Sequence, residues 1–191
     1  METVSVMIVG VGGQGTLLAS RILGNVAIEQ GCDVKVSEVH GMSQRGGSVV
    51  TYVKYGKEVN SPIIDFGEAD IILAFEKLEA IRALPFLKIG GKIILNDREI
   101  APMPVITGAC EYPQGIVEEL SSKCDVVALD ALELSLKAGS PKAVNVVLIG
   151  VLAKSTNIDK QVWIDVINKT VPTKFLELNL KAFELGYNFS I

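Results

Sequence analysis

The sequence predicts an α/β chain with a Rossmann-like three-layer fold: a mostly parallel (mixed) sheet, an inserted antiparallel hairpin and a helical C-terminal part. Three observations predict it. The apolar run Val4 to Val9 leads directly into Gly10-Val11-Gly12-Gly13-Gln14-Gly15 and then into a long helical pattern, the order expected of a first βα unit that approaches a phosphate. Strand-like and helix-like stretches then alternate, which argues for parallel strands joined by crossover helices. From Ala143 onward only helical patterns follow. With 191 residues, no internal repeat and no long linker, the chain reads as one domain over residues 1–191.

The first helix is expected from Gln14 to about Gln30, with Leu17, Leu18, Ile22, Val26 and Ala27 on one face, stopped by Gly31-Cys32-Asp33. Val34 and Val36 open a second strand. The β-branched and aromatic pattern from Ser48, a turn at Gly56-Lys57 and the return at Val59 predict an antiparallel hairpin of Val49–Tyr55 with Lys57–Ser61. Ala69 to Phe75 reads as a buried strand, and Lys77 to Leu87 as a helix disturbed by Pro85. Gly90-Gly91 is expected to turn into the strand Lys92 to Leu95, after which Asn96 and Asp97 stand where ligand-facing polar groups are common. Val105-Ile106 is a short strand candidate. Gln114 to Lys123 is an amphipathic helix, Val126 to Leu129 a strand, and Ala131 to Lys137 a helix. After Gly139-Ser140-Pro141 the helices Ala143–Ser155, Lys160–Lys169 and Thr173–Leu185 are expected.

Eighteen basic and twenty-two acidic residues give a net charge of -4. No basic run appears, so neither nucleic acid nor an anionic membrane is an expected partner. The apolar fraction is 49% and the mean hydropathy +0.39. The longest apolar stretch, Val146 to Ala153, is far short of the roughly 20 residues a membrane span needs. The high apolar content is therefore expected to reflect surface covered by another subunit, or by a second copy when the chain is alone. Met1-Glu2-Thr3 carries no signal-peptide pattern, and three widely spaced cysteines, Cys32, Cys110 and Cys124, fit free thiols in a cytoplasmic protein. With no C-x-x-C and His40 as the sole histidine, no metal or iron–sulfur site is expected within the chain.

The candidate cofactor-binding residues fall in three groups. In the first turn, Gly10 would permit the bend off the strand, Gly12 the approach of a pyrophosphate and Gly15 close helix–sheet packing, with Gly13 and Gln14 between them. The same glycines could simply close a tight βα turn. Glu38, about 20 residues downstream, stands where a ribose hydroxyl is accepted in a dinucleotide site, or it is a solvated acid or a partner of Arg45. Ser43, Arg45, Gly46 and Gly47 combine a forked cation with glycines that tolerate positive φ, suiting a phosphate, a carboxylate or a partner's backbone, or else a turn into the hairpin. Asn145, at the head of an apolar helix, needs a hydrogen-bond partner and either caps or points into a pocket. No Tyr-x-x-x-Lys pair, P-loop, Ser/His/Asp arrangement or thiamine-type G-D-G stretch is present, so no catalytic residue can be assigned.

The pairing of Gly10-Val11-Gly12-Gly13-Gln14-Gly15 with Glu38-Val39-His40-Gly41-Met42-Ser43-Gln44-Arg45-Gly46-Gly47, supported by Asn145 to Gly150, resembles the gamma-type module of the 2-oxoacid:ferredoxin oxidoreductases. Within that family it is most similar to the small beta subunits of the indolepyruvate type. The resemblance implies a subunit of an enzyme that converts an aryl pyruvate, coenzyme A and oxidised ferredoxin to an aryl-acetyl-CoA, carbon dioxide and reduced ferredoxin. It implies that thiamine diphosphate and the iron–sulfur clusters sit on a larger partner subunit, that ferredoxin is reached through that complex, and that coenzyme A is shared with this chain. The residues alone also leave open a stand-alone NAD(P)- or flavin-binding oxidoreductase and a non-catalytic structural subunit.

Overall fold

The computed structural model describes residues 2–40 and 47–190. Its centre is a six-stranded sheet made of β1 (Val4–Val11), β2 (Asp33–His40), β3 (Ser48–Gly56), β4 (Ala69–Ala74), β5 (Leu87–Asn96) and β6 (Asp125–Leu129), in the order β2-β3-β1-β4-β5-β6. β1, β4, β5 and β6 are parallel, while β3 runs antiparallel to both β1 and β2. The period-2 alternation of the strands sends Val6, Ile8, Leu73 and Ile94 to one face and Met7, Val9, Ile72, Ile93 and Leu95 to the other.

The first face is covered by α1 (Thr16–Glu29), α5 (Ala131–Ala138), α6 (Val144–Lys154), α7 (Lys160–Thr170) and α8 (Leu176–Tyr187), and the second by α2 (Lys77–Ala83) and α4 (Ile116–Ser121). The three-layer, mixed-sheet expectation holds. Every residue of α6 from Asn145 to Ala153 is buried, as befits a helix that is apolar all round. Much of the chain's high apolar content is therefore interior, held between the sheet and α8.

Three local expectations are corrected. The hairpin partner of β3 is β2, not Lys57–Ser61, because β1 and β2 occupy both edges of β3. Segment 57–61 leaves the sheet and wraps across the start of β2, where the Val59 N–H donates to Asp33 Oδ2 at 2.9 Å. Val105-Ile106 belongs to a helical turn, α3 (Met103–Ile106), not a strand. Pro102 and Pro104 fix the φ that such a turn requires, and the Thr107 N–H closes it on the Met103 carbonyl at 2.9 Å. Gly90-Gly91 lies inside β5 instead of preceding it. Ala69 pairs with Leu87 but Ile71 with Lys92, so the glycines form an irregularity within the strand.

Candidate functional site

The turn between β1 and α1 is built from side chains as much as from glycines. Gln14 folds back over the end of β1: the Val11 N–H donates to its Oε1 at 2.7 Å, and its Nε2 donates to the Phe75 carbonyl at 3.0 Å. Gly10 lies within β1, so its task is to leave room for Gln14 and not to bend the chain. A Cβ there would stand 2.8 Å from Gln14 Oε1 and 3.0 Å from Phe75 Cβ. The Gly12 N–H donates to the Gly47 carbonyl at 3.0 Å, so it is committed to the loop end and not to an anion.

Gly15 ends the turn at φ 82° and opens α1. Its close approach is to α6, not to the sheet, since a Cβ would stand 2.6 Å from Asn145 Nδ2. Asn145 is neither a cap nor a free pocket group. It donates to the Gly15 carbonyl at 3.2 Å and accepts from the Val146 N–H at 2.9 Å, tying α6 to the glycine turn. Gly13, at φ 96°, has open space where a side chain would go. The first N–H groups of α1 have no intrahelical acceptor, which favours negative charge in front of them.

That open space belongs to a cleft of about 430 Å³ at the carboxyl ends of the strands, beside the point where the connections after β1 and β4 diverge to opposite faces of the sheet. Gly13, Gln14 and Gly15 form one wall. Asn96 lies at the bottom, 1% exposed, with both ends of its amide engaged: Nδ2 donates to the Phe75 carbonyl at 3.1 Å and Oδ1 accepts from the Ala131 N–H at 3.1 Å. Ile100, Leu132, Pro141 and Val144 add apolar surface, and Arg98 and Lys142 add positive charge.

Arg98 and Lys142 were not anticipated from the sequence. Position just beyond the end of β5 was the available signal, and it pointed to Asn96 and Asp97 instead. Segment 97–100 is held by hydrogen bonds from the Asp97 N–H to the Leu129 carbonyl (2.8 Å), from the Lys77 N–H to the Arg98 carbonyl (3.0 Å) and from the Ile100 N–H to Glu76 Oε1 (3.0 Å). Glu76 is 1% exposed, caps α2 through the Glu79 N–H and accepts from the Tyr112 hydroxyl. Burial, reinforced by Glu76, drives the Tyr112 phenol far above its usual pKa, so it remains a protonated donor. Lys77 Nζ bridges Glu99 and Asp97 at 2.9 and 3.0 Å, and the hydrogen bond to Glu99, followed by that to Asp97, raises its pKa.

The structure thus brings Gly10, Gly12, Gly13, Gln14, Gly15, Gly47 and Asn145 together. It does not bring Glu38 to them. β3 lies between β1 and β2, and in register Glu38 pairs with Thr51 and Thr51 with Ile8. At about 4.8 Å per strand, Glu38 is about 10 Å from β1, and it accepts from the Thr51 hydroxyl at 3.1 Å. The ribose-reading geometry of a dinucleotide site is absent there. Ser43, Arg45 and Gly46, and with them the pairing of Glu38 with Arg45, lie outside the described residues.

Cys32 and Cys124 are partly buried and Cys110 is exposed, and none of the three forms a disulfide. Among the described residues no group of three or more His, Cys, Asp or Glu side chains is placed to hold a metal ion. No described helix is long and apolar enough to cross a membrane.

The family model for pyruvate ferredoxin/flavodoxin oxidoreductase matches residues 5–189. The chain belongs to that family. It is 42% identical to the indolepyruvate oxidoreductase subunit IorB of Thermococcus kodakarensis, over 97% of this chain and 95% of that relative. Among solved structures, the gamma subunit of a keto/oxoacid ferredoxin oxidoreductase from Geobacter sulfurreducens superposes with a TM-score of 0.72 at 23% identity, covering 96% of both chains. A 2-oxoglutarate:ferredoxin oxidoreductase from Magnetococcus marinus gives 0.74 at 16% identity, covering 98% of this chain but 31% of that one. At such identities the superpositions establish the fold, and they show the same architecture both as a separate chain and as part of a longer one. The expectation of an oxidoreductase of this family, in this fold, holds.

Proposed function

We propose that this chain is the small subunit of a 2-oxoacid:ferredoxin oxidoreductase that acts on indolepyruvate and related aryl pyruvates. The observation that carries this reading is the 42% identity, over nearly the full length of both chains, to a relative named as an indolepyruvate oxidoreductase subunit. In this reading a larger partner chain holds thiamine diphosphate and the iron–sulfur clusters, supplies the carbon–carbon bond cleavage and passes electrons to ferredoxin, and the complex works in the cytoplasm.

This chain's own task is binding and enclosure. The glycine turn, Arg98 and Lys142 face one cleft that also has apolar surface, a combination suited to coenzyme A, which carries phosphates and a partly apolar body. The α1 N–H groups and the two cations would hold phosphate oxygens, while Ile100, Leu132, Pro141 and Val144 exclude water from the rest. Gln14, Asn96 and Asn145 fix the walls through backbone groups. Without its partner the chain forms a homodimer, an arrangement supported by exposed apolar side chains such as Phe66 and Ile89.

The test is reconstitution with the partner chain and assay of a panel of 2-oxo acids with coenzyme A and ferredoxin. Indolepyruvate should exceed pyruvate in kcat/KM by at least about tenfold, the discrimination a fitted apolar pocket provides. Nicotinamide- or flavin-dependent turnover by the isolated chain would overturn the proposal.

A further inference from the structure

Asn96-Asp97-Arg98-Glu99 is an unpromising sequence for an anion site, because Arg98 is flanked by two acids. The structure separates them. The segment leaves β5 through a tight turn in which the Arg98 N–H donates to the Asn96 carbonyl at 2.7 Å. Arg98 faces the glycine-turn cleft, whereas Asp97 and Glu99 line a different depression of about 260 Å³, together with Lys77 and the start of α4. Lys77 Nζ contacts both acids, at 3.0 and 2.9 Å. Its side chain is 19% exposed, against 48% for Asp97 and 45% for Glu99. Arg98 makes no ion pair among the described residues.

Building on the coenzyme A reading of the cleft, we propose that Lys77 is a positioning residue that sorts the charge of this segment. It holds Asp97 and Glu99 on the far side, so that Arg98, together with Lys142, presents net positive charge to a phosphate or diphosphate group. The backbone of the segment does not depend on the Lys77 side chain. It is fixed by the Asp97 N–H on Leu129, the Lys77 N–H on Arg98 and the Ile100 N–H on Glu76. Removing the ammonium therefore frees two carboxylates to compete for the Arg98 guanidinium without releasing the loop. Both acids are half exposed, so solvent screening keeps the effect moderate.

The experiment is calorimetric titration of coenzyme A into the reconstituted complex, alongside KM and kcat. K77M should raise Kd and KM for coenzyme A about five- to tenfold and leave kcat within about twofold, with K77R close to wild type. Adding D97N and E99Q to K77M should restore Kd to within about threefold of wild type. R98A should weaken binding at least tenfold, and K77M should add almost nothing in its background. Dephospho-coenzyme A and inorganic pyrophosphate identify the group read: loss of the R98A penalty with dephospho-coenzyme A assigns the 3′-phosphate, and its persistence assigns the diphosphate. Should K77M lose its fold, K77Q carries the same test.

Weak binding by K77M that the acid-neutralised variant does not rescue would make Lys77 merely structural and overturn the inference, as would an unchanged Kd in K77M beside a raised one in R98A. If R98A and K142A both leave coenzyme A binding unchanged, it is the reading of the cleft that fails.

Discussion

Two sets of glycines in this molecule do opposite work. In the turn after β1, Gly13 sits at φ 96° with nothing within 4 Å of where its Cβ would be. At the crossing of α6 and α8, a Cβ on Gly150 would stand 2.3 Å from the Phe183 carbonyl, and one on Gly186 would stand 2.0 Å from the Val147 carbonyl. The first glycine keeps space open beside a cleft. The second pair removes space so that two helix backbones can touch. Gly15 stands between these cases, in a left-handed conformation yet packed against Asn145. A glycine's meaning is therefore set by what faces it, which a local motif does not record.

The sharpest way to break this comparison is Gly186→Ala. Backbone, not flexible side chain, faces the new methyl, so α8 must shift, and unfolding in urea should show a loss of about 3–4 kcal/mol. A loss below about 1 kcal/mol would show that the crossing has slack. Gly15→Ala should cost about 2–3 kcal/mol, combining left-handed strain with collision against Asn145. Pairing it with Asn145→Ala separates the two contributions: the double variant should be more stable than the sum of the singles predicts, by about 1 kcal/mol. Strict additivity would place the cost of Gly15→Ala in backbone strain alone. Gly13→Ala should be the mildest for stability, about 1 kcal/mol from positive φ, yet it should weaken coenzyme A binding to the complex at least tenfold, because the methyl enters the cleft. Unchanged binding would reduce this turn to a packing device.

The glycine turn was legible because its strand, its glycines and its helix are adjacent in sequence. What the turn touches was not. Gln14 reaches Phe75 and Gly15 meets Asn145, 130 positions away, and such contacts leave no periodic trace. The hairpin was misassigned because Gly56-Lys57 carries an ordinary turn signal, while the pairing of β3 with β1 spans the whole first helix and β2. The same insertion removed Glu38 from the turn, although its spacing along the chain matched a dinucleotide site. Arg98 was hidden by its neighbours, since the charge of Asp97-Arg98-Glu99 sums to negative until Lys77 is placed in space. The high apolar content was read as surface covered by another subunit, whereas its most apolar stretch, α6, is covered from within the chain.

The junctions of α6 also set how firmly the walls of the cleft are held. One end of that helix is bound to the glycine turn through Asn145, and its middle is pressed against α8 with no room for sliding. One side of the cleft is thus a rigid anvil made of α1, α6 and α8. Another side includes segment 97–100, whose backbone is held by a few hydrogen bonds, contacts that open locally at far lower free energy than a helix crossing. Hydrogen exchange should therefore be faster at Arg98 and Ile100 than at Val147 or Gly150. A ligand in the cleft would meet firm helix packing on one side and, on another, the more readily opened segment that carries Arg98.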